Sequence, residues 1–295
     1  MRGGLVMLVV VSFAFALAAG AVSADAGTRV LPHVTLIGDS VPDALVNDNE
    51  ATAILEQGID LDAEVAVCRR VDGESCPDGN VRPPNVVQLV TAMGSKLGPN
   101  VVVCVGYNDF EDQYAQNIEN ALAALRAAGV KHVWWLTLRA AHHGYLTMND
   151  DIDAAAQKHP ELSVIDWNVY SRSHPDWFQA DGLHLVAPGA EAMATLIHQR
   201  LLGDGVALKP VHMTTTKLPV AHRGKSYRAR LTATAGDAPY RFMLLARAPQ
   251  GIHLEATGAI IGRPRVGPGV YALNVRVKDS ANSFDTRRIT LRVTS

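Results

Sequence analysis

Between residues 33 and 202, short apolar runs alternate with helix-like segments, and few folds accommodate that order. The runs cover residues 33–37, 64–68, 100–105, 132–138 and 162–167. They are rich in Val, Ile and Trp with little polar alternation, which is typical of strands buried on both faces of a sheet. Strands separated by helices pair in parallel through right-handed crossovers. We therefore expect residues 30–203 to form a three-layer α/β/α sandwich around a parallel, flavodoxin-like sheet.

The segments between the runs carry the periodicity and the end signals of amphipathic helices. In residues 111–128, apolar side chains recur on one face, and Gly129 follows as a stop. The segment 188–202 begins at Pro188 and is followed by Gly203, so both of its ends are marked. Three further helices are predicted in residues 42–57, 84–97 and 149–159.

After Gly203 the pattern changes to short alternating runs separated by turns rich in Gly and Pro. The runs cover residues 226–233, 240–245, 271–278 and 287–293. Short strands at this spacing, without helix-length segments between them, are typical of a β-sandwich. We expect an all-β domain over residues 210–295, with the boundary between residues 203 and 210.

The first 24 residues have the features of a secretory signal peptide. Arg2 gives a positive start, residues 5–19 are apolar, and residues 22–24 are small, so cleavage is expected after Ala24. The alternative is an uncleaved anchor, but the apolar run is shorter than the ~20 residues that span a bilayer. We expect the mature protein to be secreted, outside the cell or in its envelope, without stable membrane insertion.

Composition excludes two classes of protein. With 27 Lys and Arg against 29 Asp and Glu, the chain lacks the charge excess of a general nucleic-acid binder, so no nucleic-acid partner is expected. Hydrophobic residues make up 48% of the chain, which excludes intrinsic disorder. We expect a monomer.

The three cysteines fit an oxidising compartment. Cys68 and Cys76 lie eight residues apart around a polar stretch, which favours a disulfide that closes this loop. Cys104 lies in an apolar run and is interpreted as a buried thiol, although a Cys68–Cys104 bridge is an open alternative. The spacing matches no zinc site, and we expect neither a metal nor a cofactor.

Three polar motifs stand where the fold would bring them together. Ser40 follows the first strand directly, Asn108 follows the third, and Asp181 and His184 precede the last helix. Each has a simple structural explanation, as an N-cap, a turn or a solvated loop. Because the carboxyl ends of parallel strands share one edge of the sheet, we expect the three motifs to meet there.

The order of these motifs resembles that of the SGNH (GDSL-type) hydrolase family. The resemblance rests on residues 38–40 (Gly-Asp-Ser), 106–109 (Gly-Tyr-Asn-Asp) and 181–184 (Asp-Gly-Leu-His), and it covers residues 30–202. It implies that Ser40 is the nucleophile, that His184 is the general base and that Asp181 orients His184.

The resemblance also implies an oxyanion hole. Asn108 and the backbone N–H of Ser40 would form part of it, completed by the N–H of a glycine after the second strand. In this chain Gly73 and Gly79 both follow that strand, and we favour Gly73, which lies inside the expected disulfide loop.

Three aromatic residues are candidates for substrate binding. Tyr107 lies inside the second motif, and Trp177 and Phe178 precede the third. Simple packing explains Trp177 and Phe178 equally well. Residues 68–70 and the pair 177–178 also look like the SGNH domains that are attached to bacterial membrane acyltransferases.

The C-terminal segment has its own resemblance, to the immunoglobulin-like domains of bacterial surface and secreted proteins. The residues that carry it are 238–242, 249–254, 257–264, 269–271, 275–277 and Asp279. In that family such domains are spacers or carbohydrate-contact modules, and we favour a passive spacer here.

These observations predict a secreted serine esterase. The expected substrate is a short acyl ester, above all an O-acetyl group on a carbohydrate or a cell-envelope glycan, because no long apolar lid is visible. Two alternatives are an acyltransferase with the same triad and a non-catalytic glycan-binding surface protein.

Overall fold

A parallel sheet of five strands forms the centre of the N-terminal part. The computed structural model describes residues 30–141 and 143–295, and the expected signal peptide lies outside them. The strands are β1 (His33–Gly38), β2 (Asp60–Val65), β3 (Asn100–Cys104), β4 (His132–Leu136) and β5 (Leu162–Ile165), and their order across the sheet is β2-β1-β3-β4-β5. The reversal between β2 and β3 on either side of β1 is the point where open α/β sheets bind ligands.

Helices cover both faces of this sheet. They are α1 (Asp43–Asn47), α2 (Asn49–Leu55), α3 (Val86–Met93), α4 (Tyr114–Ala127), α5 (His143–Lys158), α6 (Trp167–Ser171) and α7 (Ala187–Gly203), with 3₁₀ turns at Gly94–Leu97 and Pro175–Trp177. One core cluster joins the sheet to α3, α4 and α5, and a second joins it to α1, α2, α6 and α7. The predicted three-layer α/β/α sandwich is confirmed.

Several elements differ from the sequence-based expectation. Helix α5 begins at His143 rather than at residue 149, and α6 was not predicted. Strand β2 begins at Asp60 rather than at residue 64, because it is an edge strand with polar residues that a search for apolar runs overlooks. The helix expected over residues 42–57 is two helices. Asp48 between them adopts an extended conformation, and its carboxylate caps α2 by accepting from the N–H groups of Glu50 and Ala51.

The C-terminal part is built from short, mostly antiparallel strands. They are β6 (His212–Met213), β7 (Ala221–His222), β8 (Tyr227–Arg230), β9 (Ala233–Thr234), β10 (Arg241–Leu244), β11 (Ile252–Leu254), β12 (Ala259–Gly262), β13 (Gly269–Lys278) and β14 (Phe284–Thr294). One sheet has the order β10-β13-β14-β7, a second has the order β11-β12-β8, and β6 pairs with β9. Their inward side chains form one core cluster. The expected all-β fold of this part is confirmed.

The α/β part and the β part contact each other through α2 and its C-terminal turn, and residues Leu31–Ser295 form one unit. Arg276 donates two hydrogen bonds to the Glu50 carboxylate, at 2.5 and 3.2 Å. Just after α2, the N–H of Gly58 donates to the carbonyl of Ala281 at 2.8 Å. Within residues 30–141 and 143–295, no helix combines the length and the apolar character that crossing a bilayer requires.

Candidate active site

Ser40 lies at the carboxyl end of β1, in a turn that is tied to the neighbouring strand. The buried carboxylate of Asp39 accepts the N–H of Val41 at 3.0 Å, and it also accepts those of Gly106 and Tyr107 at 3.2 and 3.1 Å. Asp39 therefore joins the loop after β1, which carries Ser40, to the loop after β3. The pKa of Asp39 is raised to about 6, because the effect of burial exceeds the opposing effect of the three backbone N–H groups.

Asp181 and His184 lie in the loop between the second 3₁₀ turn and α7. One carboxylate oxygen of Asp181 accepts the N–H groups of Leu183 and His184, at 2.9 and 3.0 Å. The other lies 2.7 Å from Nδ1 of His184. The side-chain bond to His184 and these backbone bonds hold the pKa of Asp181 at about 2, so it is ionised at neutral pH.

The sheet edge brings the first and third motifs together. Nε2 of His184 lies 3.0 Å from Oγ of Ser40, across 144 residues of sequence. Ser40, His184 and Asp181 thus form a continuous hydrogen-bonded chain in the arrangement of a nucleophile, a base and an orienting carboxylate. The side chains of His184 and Asp181 are 37% and 46% exposed, so the chain of groups faces solvent.

Asn108 lies beside the disulfide loop. Its Nδ2 donates to the carbonyl of Arg69 at 3.3 Å, which orients the amide, and its Oδ1 lies 3.7 Å from Sγ of Cys76. The next residue, Asp109, fastens the same loop through both carboxylate oxygens, which accept the N–H of Val71 at 3.1 and 2.9 Å. Burial raises the pKa of Asp109 to about 7.

Cys68 and Cys76 form the disulfide that the sequence favours. Cys104 is a free, buried thiol whose pKa is raised by burial, so the alternative Cys68–Cys104 bridge is wrong. In residues 30–141 and 143–295, no group of three or more His, Cys, Asp or Glu residues is placed to hold a metal ion.

The structure does not support Gly73 as the oxyanion-hole glycine. Its N–H donates to the carboxylate of Asp72 at 2.7 Å, and its carbonyl accepts Nδ2 of Asn85 at 2.7 Å, so both groups hold the loop together. In the part of the chain that the structure describes, several N–H groups of the segment after β2 have no acceptor, among them those of Cys68 and Gly79, and the N–H of Ser40 has none either.

Cys68 also has an unusual backbone for a non-glycine residue, with φ at +70°. Such strain persists only where the surroundings enforce it, and it often marks a functional site. The turn that contains Cys68 is attached to the end of β1, because Ala66 donates its N–H to the carbonyl of Gly38 at 3.1 Å.

Arg69 is a further residue that the sequence analysis did not single out for the site. It is 3% exposed, and its guanidinium donates to the carbonyls of Gly38, Glu64 and Pro84. These bonds join the end of β1 to the segments on both sides of the disulfide loop. Burial lowers the pKa of Arg69.

The three aromatic candidates have different surroundings. Phe178 is 7% exposed and packs in the core with the guanidinium of Arg139 3.7 Å above its ring, which contradicts a substrate-lining role. Trp177 is half-buried and stacks on His174 with ring centroids 3.8 Å apart. Tyr107 is half-buried, and its hydroxyl accepts the N–H of Arg139 at 2.8 Å, which holds the loop after β4.

Comparisons with known proteins support both resemblances. Residues 209–294 match the family model "Putative Ig domain". The chain is 27% identical over 128 residues to "Putative peptidoglycan O-acetyltransferase YrhL" of Bacillus subtilis, covering 42% of this chain and 19% of the relative. It is 30% identical over 103 residues to "O-acetyltransferase OatA" of Staphylococcus aureus, covering 35% of this chain and 16% of the relative. The chain therefore spans less than a fifth of the length of either relative.

Solved structures give a weaker likeness. The C-terminal catalytic domain of peptidoglycan O-acetyltransferase A from Streptococcus pneumoniae has a TM-score of 0.46 at 18% identity, over 61% of this chain and 97% of that one. A carbohydrate esterase family 3 protein from Talaromyces cellulolyticus has a TM-score of 0.43 at 17% identity, over 59% and 97%. Both TM-scores lie below 0.5. The β part thus matches an immunoglobulin-like family model, and the chain is similar in sequence over about a hundred residues to bacterial O-acetyltransferases.

Proposed function

We propose that this protein is a serine esterase that removes short acyl groups, above all O-acetyl, from a carbohydrate or a cell-envelope glycan. The observation that carries the proposal is the chain of hydrogen bonds from Ser40 through His184 to Asp181, at 3.0 and 2.7 Å. A serine hydroxyl is a weak nucleophile unless a base within hydrogen-bond reach removes its proton. The distance of 3.0 Å between Nε2 of His184 and Oγ of Ser40 supports His184 as that base.

The acylation step follows from this geometry. Oγ of Ser40 attacks the ester carbonyl carbon while its proton moves to Nε2 of His184. The tetrahedral intermediate collapses, the bond to the alcohol oxygen breaks, and His184 returns the proton to that oxygen. Asp181 stabilises the imidazolium through Nδ1 without taking its proton.

In the second step water hydrolyses the acyl-enzyme. His184 removes a proton from the water as its oxygen attacks the acyl carbon. The bond to Oγ of Ser40 then breaks, His184 returns the proton to Oγ, and the free acid leaves. Both tetrahedral intermediates carry an oxyanion, for which we propose three donors: the N–H groups of Ser40 and Cys68 and the amide of Asn108.

The exposure of the site favours a bulky alcohol part. His184 and Asp181 face solvent over more than a third of their side-chain surface, so a sugar chain can approach Ser40 without a cleft opening. The names of the sequence relatives favour an acetyl group on a peptidoglycan-type glycan. The matched segment is less than a fifth of either relative, so the choice of an acetylated glycan as substrate belongs to the proposal made here.

The same relatives favour a second candidate, acetyl transfer. A sugar hydroxyl would replace water in the second step and would leave as its acetyl ester, with the same residues in the same roles. Hydrolysis and transfer are distinguished by adding a chitooligosaccharide to the enzyme and a soluble acetyl donor. If the sugar does not change the amount of acetate released, the protein is an esterase. If acetylated sugar forms and the release of acetate falls, the protein is a transferase.

We also propose that residues 1–24 direct secretion, with domains over residues 30–203 and 210–295. The Cys68–Cys76 disulfide supports an oxidising destination outside the cytoplasm. Mass spectrometry of protein recovered from the culture medium or envelope tests the cleavage after Ala24.

The central experiment measures hydrolysis of p-nitrophenyl acetate and p-nitrophenyl octanoate by the mature protein. We expect higher activity on the acetate ester than on the octanoate ester, and a loss of activity of at least 10³-fold in Ser40→Ala. The matched control Ser95→Ala changes an exposed serine outside the three motifs and should keep full activity. A fluorophosphonate probe should label Ser40 in the folded protein. Inert protein that the probe does not label would contradict the esterase and favour a non-catalytic glycan-binding protein.

A further inference from the structure

The formal charge of the chain is near zero only because its two parts cancel. Residues 209–295 contain 15 Lys and Arg against four Asp and Glu, a formal charge of +11. Residues 1–208 contain 12 against 25, a formal charge of −13. The immunoglobulin-like part therefore has the strong cationic field that attracts anionic polymers, although the whole chain does not.

A cationic groove lies on one sheet of this part. It has a volume of about 590 Å³ and runs along strands β8, β11 and β12. Its lining includes the exposed cationic side chains of Arg228, Arg263 and Arg265 beside His253, and no acidic residue. A second groove of about 500 Å³ shares Arg228 and adds Arg230, and Glu255 is also part of its lining. The arginines thus form a row rather than an isolated spot.

The backbone beneath the first groove is built for close approach. A Cβ on Gly262 would lie 2.0 Å from the carbonyl oxygen of Gly251, so both the path of the chain and the groove floor require glycine there. The N–H of Arg263 donates to that same carbonyl at 2.8 Å, and the N–H of Arg265 donates to the carbonyl of Gln250 at 2.8 Å. These bonds fix the backbone from which the two arginine side chains extend.

The charges of this row are not used by the fold. Among the residues that the structure describes, the side chains of Arg228, Arg230, Arg263 and Arg265 make no ion pair and no hydrogen bond. Arginine that serves structure in the same part is paired, as Arg276 is with Glu50. Clustered like charges repel one another, so a fold gains nothing from an unpaired row.

We propose that this row binds an anionic glycan, a polymer of sugar or polyol units that carries carboxylate or phosphodiester groups at regular intervals. Arginine presents a planar fork of donors that matches both groups in two-point contacts. The same polymer would be repelled by the acidic α/β part, so binding is confined to the β part. This inference goes beyond the proposed esterase activity and does not depend on it.

The grooves fit a nucleic acid less well. Single-stranded nucleic acids bind through exposed aromatic rings on which bases stack, in addition to cationic side chains. The aromatic residue in the lining of the first groove is Tyr227, which is 7% exposed and donates its hydroxyl to the carbonyl of Pro219 at 2.9 Å. Its ring is therefore not available as a stacking platform.

The test measures binding of the full mature chain to two labelled polymers, polygalacturonate for carboxylates and poly(glycerol phosphate) for phosphodiesters. The groove variant is Arg228→Ser, Arg263→Ser, Arg265→Ser. Its matched control, Arg241→Ser, Arg288→Ser, Arg292→Ser, removes three exposed arginines from the other sheet and has the same net charge. Circular dichroism verifies that both fold, and Arg265→Ser alone serves if the triple variant does not.

We expect binding to at least one of the polymers in low salt, weakened at least tenfold in the groove variant and less than threefold in the control. The dependence of affinity on salt should become shallower in the groove variant, because fewer counterions are released. Hydrolysis of p-nitrophenyl acetate should be unchanged in both. Equal weakening of polymer binding in both variants would overturn the proposal and would indicate that diffuse charge is responsible. Tighter binding of single-stranded DNA than of either polymer would also overturn it, and so would the absence of any binding.

Discussion

Asp39 determines how the loop that carries Ser40, the proposed nucleophile, is held, although it does not contact Oγ of Ser40. Its carboxylate accepts three backbone N–H groups from two loops, and an amide of the same shape has only one acceptor atom. In Asp39→Asn, the new N–H groups face backbone donors, so the loops that carry Ser40 and Asn108 move apart. We expect kcat to fall at least tenfold with KM changed less than threefold. Asp176→Asn, at an exposed position, is the control, and equal kcat in both variants would refute this positioning role.

Asn108 is predicted to act on the transition state rather than on substrate binding. Its Nδ2 is oriented by the carbonyl of Arg69 at 3.3 Å, which leaves its second hydrogen for the oxyanion. We expect Asn108→Ala to lower kcat by about 10²–10³ with little change in KM. Steady-state kinetics on p-nitrophenyl acetate measure this, and an unchanged kcat would remove Asn108 from the oxyanion hole.

Two carboxyl groups near the site predict the pH dependence of stability. The pKa is about 6 for Asp39 and about 7 for Asp109, both above the value of about 3.9 in an unfolded chain. The folded protein thus binds more protons than the unfolded chain between pH 4 and 7, and the contribution of these groups to stability is lost as pH rises through that range. Urea unfolding at pH 5 and pH 8 should show a smaller pH difference for Asp109→Asn than for wild type. An undiminished difference would contradict the raised pKa of Asp109.

The loop closed by the Cys68–Cys76 disulfide contains one of the three donors of the proposed oxyanion hole, the N–H of Cys68. Two double variants remove the disulfide, Cys68→Gly with Cys76→Ser and Cys68→Ala with Cys76→Ser. Both should lose about 2–3 kcal/mol of unfolding free energy. Glycine adopts the observed φ of +70° freely and alanine does not, so we expect the glycine variant to keep a higher kcat. Equal kcat in the two would mean that the Cys68 backbone is not part of the site.

At the scale of the element, the sequence predicts a strand well only where burial makes its residues apolar. The central strands β1, β3 and β4 are buried on both faces, so their apolar runs marked them within two residues. The edge strand β2 has a polar residue at every second position, so the apolar run places its start four residues too late. The motif order indicated Ser40, Asn108, Asp181 and His184, but the backbone angle of Cys68 and the bonds of Gly73 depend on tertiary contacts that no local pattern records.

At the scale of the whole molecule, the β part is attached to α2 and to the turn that follows it. Arg276 binds Glu50 in α2, and the N–H of Phe284 donates to Oε1 of Gln57 at 3.0 Å. No sequence pattern indicates these contacts, because they join residues more than 220 positions apart. A passive, freely moving spacer would not need them, so we expect the β part to stabilise α2 and thereby the α/β part.

Gly58 tests this attachment, because its N–H donates to the carbonyl of Ala281 in the β part and its carbonyl accepts the N–H of Leu208 in the segment that joins the two parts. Its φ is +68°, and a Cβ there would lie 2.7 Å from the backbone nitrogen of Leu208 and 2.8 Å from its carbonyl oxygen. Gly205 has φ of +76° but nothing within 4 Å, so Gly205→Ala is a control with the same backbone cost and no collision.

We expect Gly205→Ala to lose about 1 kcal/mol of unfolding free energy from the left-handed backbone alone. Gly58→Ala should lose about 2–4 kcal/mol, because either Leu208 moves or the hydrogen bond from its N–H to the Gly58 carbonyl, 3.1 Å long, breaks. Urea unfolding measures both losses. If attachment of the β part stabilises α2, Gly58→Ala should also expose the segment 203–210 to limited proteolysis, whereas Gly205→Ala should not. Equal losses in the two variants would mean that the contact at Leu208 yields without cost and that the two parts are not firmly joined there.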